Sequence, residues 1–415
     1  MTDVYVHVGL PKTGTTTIQA ALDATAGELA AAGVLYPGGR EGQRLAAFDL
    51  VGQRIEGDER QVAGALARLV EEVDAHDGTS AVFSDEELGF ARPRQAKRLV
   101  QSLGAHRVFV VVGVRDTART LVSSWQQTVA MGSTHTWREY VGGVRDVAGD
   151  TAASDDGGDS GGAVSEGTRF WLRHDLLRVM DVWGAAVPAD RIRVVTVPPR
   201  GGDPAALLQR FAEAVELPAG AWADLAPTER NVSFGVAELE VLRRLNGQLT
   251  DGLPRRQYRW VVEHGLRPQS SADASRPLAL PPEHLAWARE RDAHLVAELQ
   301  RRGTSVFGDP ADLRSADAPT SARPLHDVTT DELLAASETL LASVALAHGK
   351  LFGRYRQAFS KAEGRAPSTT DVLGSSARSA AFKVKRMAHQ KSNQSKVLGK
   401  AATWYARRPV GRDDR

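Results

Sequence analysis

The chain reads as an α/β protein built on a doubly wound parallel sheet, followed by a C-terminal helical extension. Three observations predict this. Short apolar runs alternate along the chain with stretches whose apolar residues recur at helical spacing. The run Val108–Val114 is continuously apolar, as in a strand covered on both faces of a parallel sheet. The first strand, Val4–Val8, passes through a Gly/Pro/Lys/Thr loop directly into a helix.

In order, strand Val4–Val8 leads to a helix over Thr16–Ala32, and Gly33–Pro37 reads as a short second strand. Helical stretches at 43–53 and 59–75 follow, the latter with Val62, Leu66, Leu69, Val70 and Val73 on one face. Ala81–Phe83 is a third strand, ending in Ser84-Asp85-Glu86-Glu87; a helix near 94–103 and the strand Val108–Val114 come next. Residues 147–168 are rich in Gly, Ser and Asp and read as a mobile insert. One helix from Phe170 to Trp183, a strand over Arg191–Val197, and helices over Pro204–Val215 and Ala237–Leu249 complete a domain covering 1–313. A polar, Pro-containing linker over 309–328 precedes a capping box at Thr329–Glu332 and a long helix to about Phe359. Residues 314–364 thus form linker plus helix. Leu334, Leu341, Val344, Leu351 and Tyr355 make a stripe expected to pack back on the domain, with a short coiled coil, and hence a homodimer, as the alternative. The last segment, 365–415, is a basic tail, partly helical or disordered.

The 415 residues carry a formal net charge of +1, unevenly placed. Arg378–Arg415 holds eleven Lys and Arg against two Asp, leaving the rest of the chain mildly acidic. Such a tail suits an anionic lipid surface or another macromolecule such as a nucleic acid. With no cysteine there are no disulfides and no thiolate metal sites. The first strand begins within four residues of Met1 and no apolar run is long enough to span a bilayer, so a cytoplasmic protein is expected, peripheral at the membrane if the tail binds lipid.

The loop Gly9–Thr17 has the composition of an anion-binding loop. Gly9 and Gly14 allow close backbone approach, and the following helix offers unpaired N–H groups at its positive end. Thr13, Thr15, Thr16 and Thr17 add hydroxyls, and Lys12 adds a mobile charge. A nucleotide triphosphate loop of the form GxxxxGKS or GxxxxGKT places lysine after the second glycine. Here Lys12 stands two residues before Gly14. Pro11-Lys12-Thr13-Gly14-Thr15-Thr16 therefore resembles the 5′-phosphosulfate loop of the sulfotransferases that use 3′-phosphoadenosine 5′-phosphosulfate.

The second motif is Arg115, at the end of the Val108–Val114 strand, with Ser123 eight residues on, inside a helix. A guanidinium fork with a neighbouring hydroxyl suits a phosphate monoester. In the sulfotransferases an arginine and a serine so placed bind the donor's 3′-phosphate. The resemblance covers residues 1–313 and implies a P-loop-like fold. Donor-binding residues would be Pro11, Lys12, Thr13, Gly14, Thr15, Thr16, Thr17, Arg115 and Ser123. Lys12 would stabilise the departing phosphate, and no metal is expected. The acceptor would be a hydroxyl of a carbohydrate, glycolipid or small metabolite.

For the general base, Glu86 is favoured because it ends the third strand at the edge where α/β enzymes bind ligands. Asp85, Glu41 and His7 remain candidates. Arg255 and Arg256 stand about where relatives close a basic loop over the site. Two other readings stay open: an ATP-dependent kinase using Asp85 or Asp116 for Mg²⁺, and a non-catalytic protein that binds membrane or a partner.

Overall fold

The central strands are apolar almost throughout because both faces of the sheet are covered. In a computed structural model the described residues are 1–53, 59–148, 165–203, 205–222, 225, 234–266, 278–317, 323–324 and 328–362. Their elements run β1 (Asp3–Val8), α1 (Thr15–Ala24), α2 (Ala26–Ala31), β2 (Val34–Leu35), α3 (Gly39–Val51), α4 (Glu59–Val62), α5 (Ala65–Asp74), β3 (Ser80–Asp85), α6 (Pro93–Ser102), β4 (Arg107–Val114) and α7 (Thr117–Ala130). Then come α8 (Trp137–Asp146), α9 (Glu166–His174), α10 (Leu176–Gly184), β5 (Ile192–Thr196), α11 (Ala206–Ala214), α12 (Val236–Gly252), α13 (Arg255–Trp260), β6 (Leu278–Ala279), α14 (Pro282–Arg301), β7 (Ser305–Phe307), β8 (Arg323–Pro324) and α15 (Thr330–Ala362).

Six strands form one parallel sheet in the order β2-β3-β1-β4-β5-β7, and β6 pairs with β8 in a separate two-stranded ladder. His7 lies between Ser84 of β3 and Val111 of β4. Tyr5, Val82, Phe109, Val111 and Val195 point to one face and pack on Ile18 and Leu22 of α1 and Leu208 and Phe211 of α11. Val4, Val6, Val8, Phe83, Val110 and Val112 point to the other, against α3, α5, α6 and α10. Helices on both faces of a parallel sheet fit the doubly wound expectation. A third core is helical, with Leu121 and Trp125 of α7 packed among Tyr140, Phe170, Trp171, Leu239 and Leu242.

Several local expectations are corrected. The first helix breaks at Thr25, whose hydroxyl donates to Ala21 O (2.8 Å) and accepts from Trp222 Nε1 (3.0 Å). The helix expected over Phe170–Trp183 is two, because Asp175 takes an extended backbone and accepts the Arg178 N–H to cap α10. The region read over 59–75 divides at Gly64, which adopts a left-handed φ of 72°.

The chain divides by contact into Met1–Ser343 and Val344–Arg415. Within the first unit, Val328, Leu333, Ala336 and Leu340 join the helical core. The stripe expected to pack there is not the one that does: Leu334 and Leu341 are exposed. In the second unit the described residues continue α15, and Leu351 and Tyr355 are likewise exposed. Most of the Gly/Ser/Asp-rich insert and all of 365–415 lie outside the described residues. Among those described, no helix is long and apolar enough to cross a membrane.

Candidate functional site

The loop after β1 is shaped by backbone. Lys12 and Gly14 both sit at positive φ, 71° and 88°. For Lys12 this conformation costs roughly 1–2 kcal/mol. Thr13 folds back, its hydroxyl donating to Leu10 O at 2.6 Å. Two glycines make room for this turn. A Cβ on Gly9 would overlap the Thr15 side chain, and one on Gly113 of β4 would lie 2.9 Å from Thr13 Oγ1. Gly14 caps α1 without a side-chain hydrogen bond, and no acidic residue stands in the first turn. Thr16 is exposed, whereas Pro11, Thr13 and Thr15 are buried.

Beside this loop lies the acidic turn after β3. Only the first two residues of β3 pair with β2. Where that pairing stops, the buried amide of Gln43 takes over. Its Oε1 accepts the Ser84 N–H (2.7 Å) and its Nε2 donates to Val82 O (2.9 Å). From α1, Gln19 Nε2 donates to Ser84 O (2.9 Å). So fixed, the turn separates the four base candidates. Burial pushes the Glu86 carboxyl above the usual carboxylate range, while the Lys12 ammonium and the Thr15 hydroxyl draw it back down. Asp85 is turned inward, accepts the Glu87 N–H (2.8 Å) and is pushed up to about 7 by burial. Glu41 is exposed and held below its usual range by its hydrogen bond from Arg44. His7 is buried under the loop, Nδ1 2.8 Å from Ser84 Oγ and its ring edge-on to Phe211. Burial drives its pKa to about 3, and its Nε2 has no partner.

At the end of β4 the site is made of side chains. Arg115 donates from one terminal nitrogen to Arg119 O (2.6 Å) and to Ser123 Oγ, while its buried Nε has no partner. Burial, helped by the Arg119 and Arg200 charges, lowers its pKa to about 10. It therefore stays a cation at neutral pH. The α7 terminus beside it is closed. Thr117 N–H donates to Asp292 Oδ1 (2.9 Å), Ala118 N–H to Ser315 Oγ (3.1 Å) and Arg119 N–H to Asp116 Oδ1 (2.9 Å). Asp116 also pairs with the Arg119 guanidinium. Among the described residues no three His, Cys, Asp or Glu side chains cluster as metal ligands would.

The two strand ends open on one cleft. Leu10, Pro11 and Thr13 line it from the loop, Arg115 from β4, residues Phe170–Trp171 and His174–Leu177 from α9 and α10, and Arg291, His294 and Leu295 from α14. His174 was missed in the sequence, being a single histidine in an apolar helix. Its Nε2 lies 3.1 Å from Ser124 Oγ, and burial with the Arg115, Arg173 and Lys12 charges lowers its pKa to about 3. The cleft thus holds a neutral imidazole among cations. Arg255 and Arg256 are exposed on α13. That helix is anchored through Tyr258 to Val129 and Ala130, at the end of α7 remote from Arg115. Comparison of the chain with family models, curated proteins and solved structures finds no match.

Proposed function

We propose that the chain is a sulfotransferase that moves a sulfuryl group from 3′-phosphoadenosine 5′-phosphosulfate to an acceptor hydroxyl. One observation carries this reading. The loop Gly9–Thr17 and the Arg115–Ser123 pair follow two adjacent parallel strands, β1 and β4, and one cleft is lined by Leu10, Pro11 and Thr13 of the loop together with Arg115. The residues fit a doubly anionic ligand: α1 begins without a side-chain cap, and Arg115 keeps a buried donor without a partner.

The donor brings a sulfuryl group on a phosphate leaving group. Residues Pro11–Thr17 would hold its 5′ side, with Arg115 and Ser123 on the 3′-phosphate. As the acceptor oxygen bonds to sulfur, the sulfur–oxygen bond to phosphate breaks and its electron pair stays on the phosphate. Lys12 stabilises that charge. The hydroxyl proton passes to Glu86, whose carboxyl is raised by burial above the usual range, which suits it to take a proton. Asp85 caps its own turn and Glu41 is exposed and bound to Arg44, which leaves them less suited. Acceptors of the carbohydrate, glycolipid and small-metabolite classes all carry the required hydroxyl. The basic tail, Arg378–Arg415, would favour a lipid-linked one if the protein cosediments with anionic vesicles and the form lacking 378–415 does not.

The test is calorimetric titration with 3′-phosphoadenosine 5′-phosphate, and separately with ATP and Mg²⁺. Binding of the bisphosphate without a response to ATP supports the proposal. No binding, or preference for Mg·ATP, overturns it in favour of a kinase.

A further inference from the structure

Opposite the loop, the cleft has a wall with its own chemistry. Trp171 is buried, donates its indole N–H to Val144 O (2.8 Å), and packs edge-on to Phe170. Over its ring lies the guanidinium of Arg291, 4.7 Å from the ring centroid. Among the described residues Arg291 makes this cation–π contact and neither a hydrogen bond nor an ion pair, although it lines the cleft. Most other arginines of the domain core are spent: Arg119 on Asp116, Arg210 on Asp312, Arg302 on Asp181 and Glu298.

Arg291 is also held in place. Its neighbour Asp292 is buried and takes the Thr117 N–H (2.9 Å), the Ser315 N–H (2.8 Å) and the Ser315 hydroxyl (2.5 Å). That ties this turn of α14 to the residues just after Arg115. The carboxylate lining the cleft, Asp175, accepts the Arg178 N–H as the cap of α10. A partly exposed arginine stacked on tryptophan keeps the edge of its guanidinium for a planar anion.

Resting on the sulfotransferase reading, we propose that Arg291 and Trp171 form the acceptor subsite. The acceptor is a small molecule that carries a carboxylate besides its hydroxyl and presents a flat apolar face. The carboxylate meets Arg291; the flat face lies along the wall made by Phe170, Leu177 and Leu295. Two sources share this chemistry, a phenolic acid and an acidic sugar.

The test uses the full chain saturated with 3′-phosphoadenosine 5′-phosphate. The probes are 4-hydroxyphenylacetate and glucuronate, each titrated beside its neutral counterpart, 2-(4-hydroxyphenyl)ethanol and glucose. At least one acid should bind about tenfold or more tightly than its counterpart, and Arg291→Ala should remove that preference while Arg291→Lys keeps part of it. Which acid binds tells the two sources apart. Affinity for the bisphosphate should be the same in wild type and both variants. If the bisphosphate binds and neither acid is preferred, the subsite is overturned while the sulfotransferase reading stands. If Arg291→Ala weakens the bisphosphate itself, Arg291 belongs to the donor and the subsite is again overturned. Failure of the wild type to bind the bisphosphate is failure of the underlying reading.

Discussion

Two helices begin at the same edge of the sheet, one strand apart, and their N-termini are treated in opposite ways. The first turn of α1 has no capping side chain and no acid. The first turn of α7 has its N–H groups taken by Asp292, Ser315 and Asp116. An uncapped helix end forgoes about 1 kcal/mol of stability. The difference teaches how one cleft can offer anion donors of two kinds. Next to α1 they are backbone amides, shaped by glycines and by Lys12 at positive φ. Next to α7 the amides are consumed internally, and the donor is the Arg115 side chain.

The contrast can be broken at either end. The largest effect is expected from Arg115→Ala, which removes the charged donor at the closed end: affinity for 3′-phosphoadenosine 5′-phosphate should fall about a hundredfold or more by calorimetry, with little change in melting temperature. Equal affinity in the variant would refute the division of labour. Asp292→Ala should do the reverse, destabilising the fold by about 3 kcal/mol in denaturant titrations by stranding buried N–H and hydroxyl groups. At the open end, Gly9→Ala should cost about 1–3 kcal/mol through overlap with Thr15, and the double variant with Thr15→Ala should recover part of it. Thr16→Asp sharpens the comparison most. An acid in the exposed first turn of α1 should stabilise the protein by about 0.5 kcal/mol, yet weaken the bisphosphate about tenfold. Stability and affinity moving together would mean that α1 is not kept open for an anion.

The smallest effect is one of pH. A base must be deprotonated, and Glu86 sits above the usual carboxylate range. Turnover should therefore rise with pH across a limb displaced upward from that range. Lys12→Ala, which removes a charge that draws Glu86 down, should displace the limb further upward. A limb unmoved in that variant would detach Glu86 from Lys12.

Much of this was legible in the sequence, and the reasons differ by element. The strands were readable because burial on both faces leaves an apolar run that polar loops interrupt, as in Val108–Val114. The turn between β1 and α1 was readable because glycine and threonine cluster between an apolar strand and a helix. Arg115 and Ser123 were paired through the resemblance to the sulfotransferases, and the structure joins them by a hydrogen bond. What stayed hidden depends on contacts between distant segments. His174 and Arg291 enter the cleft from helices whose approach no local pattern encodes. The closure of α7 depends on Asp292 and Ser315, 175 and 197 residues from the N–H groups they accept. The misread stripe of α15 has a similar origin: Leu333, Ala336 and Leu340 repeat at the same period as Leu334, Leu341 and Val344, so periodicity could not say which face docks.

Gln43 has a consequence for how these molecules meet one another. A two-residue outermost strand leaves the next strand with bare backbone beyond it, a template on which a foreign strand could pair and begin aggregation. By presenting a carbonyl to Ser84 and an amide to Val82, one side chain imitates that strand and ends the ladder. This flank of the sheet is thereby shut to edge-to-edge growth.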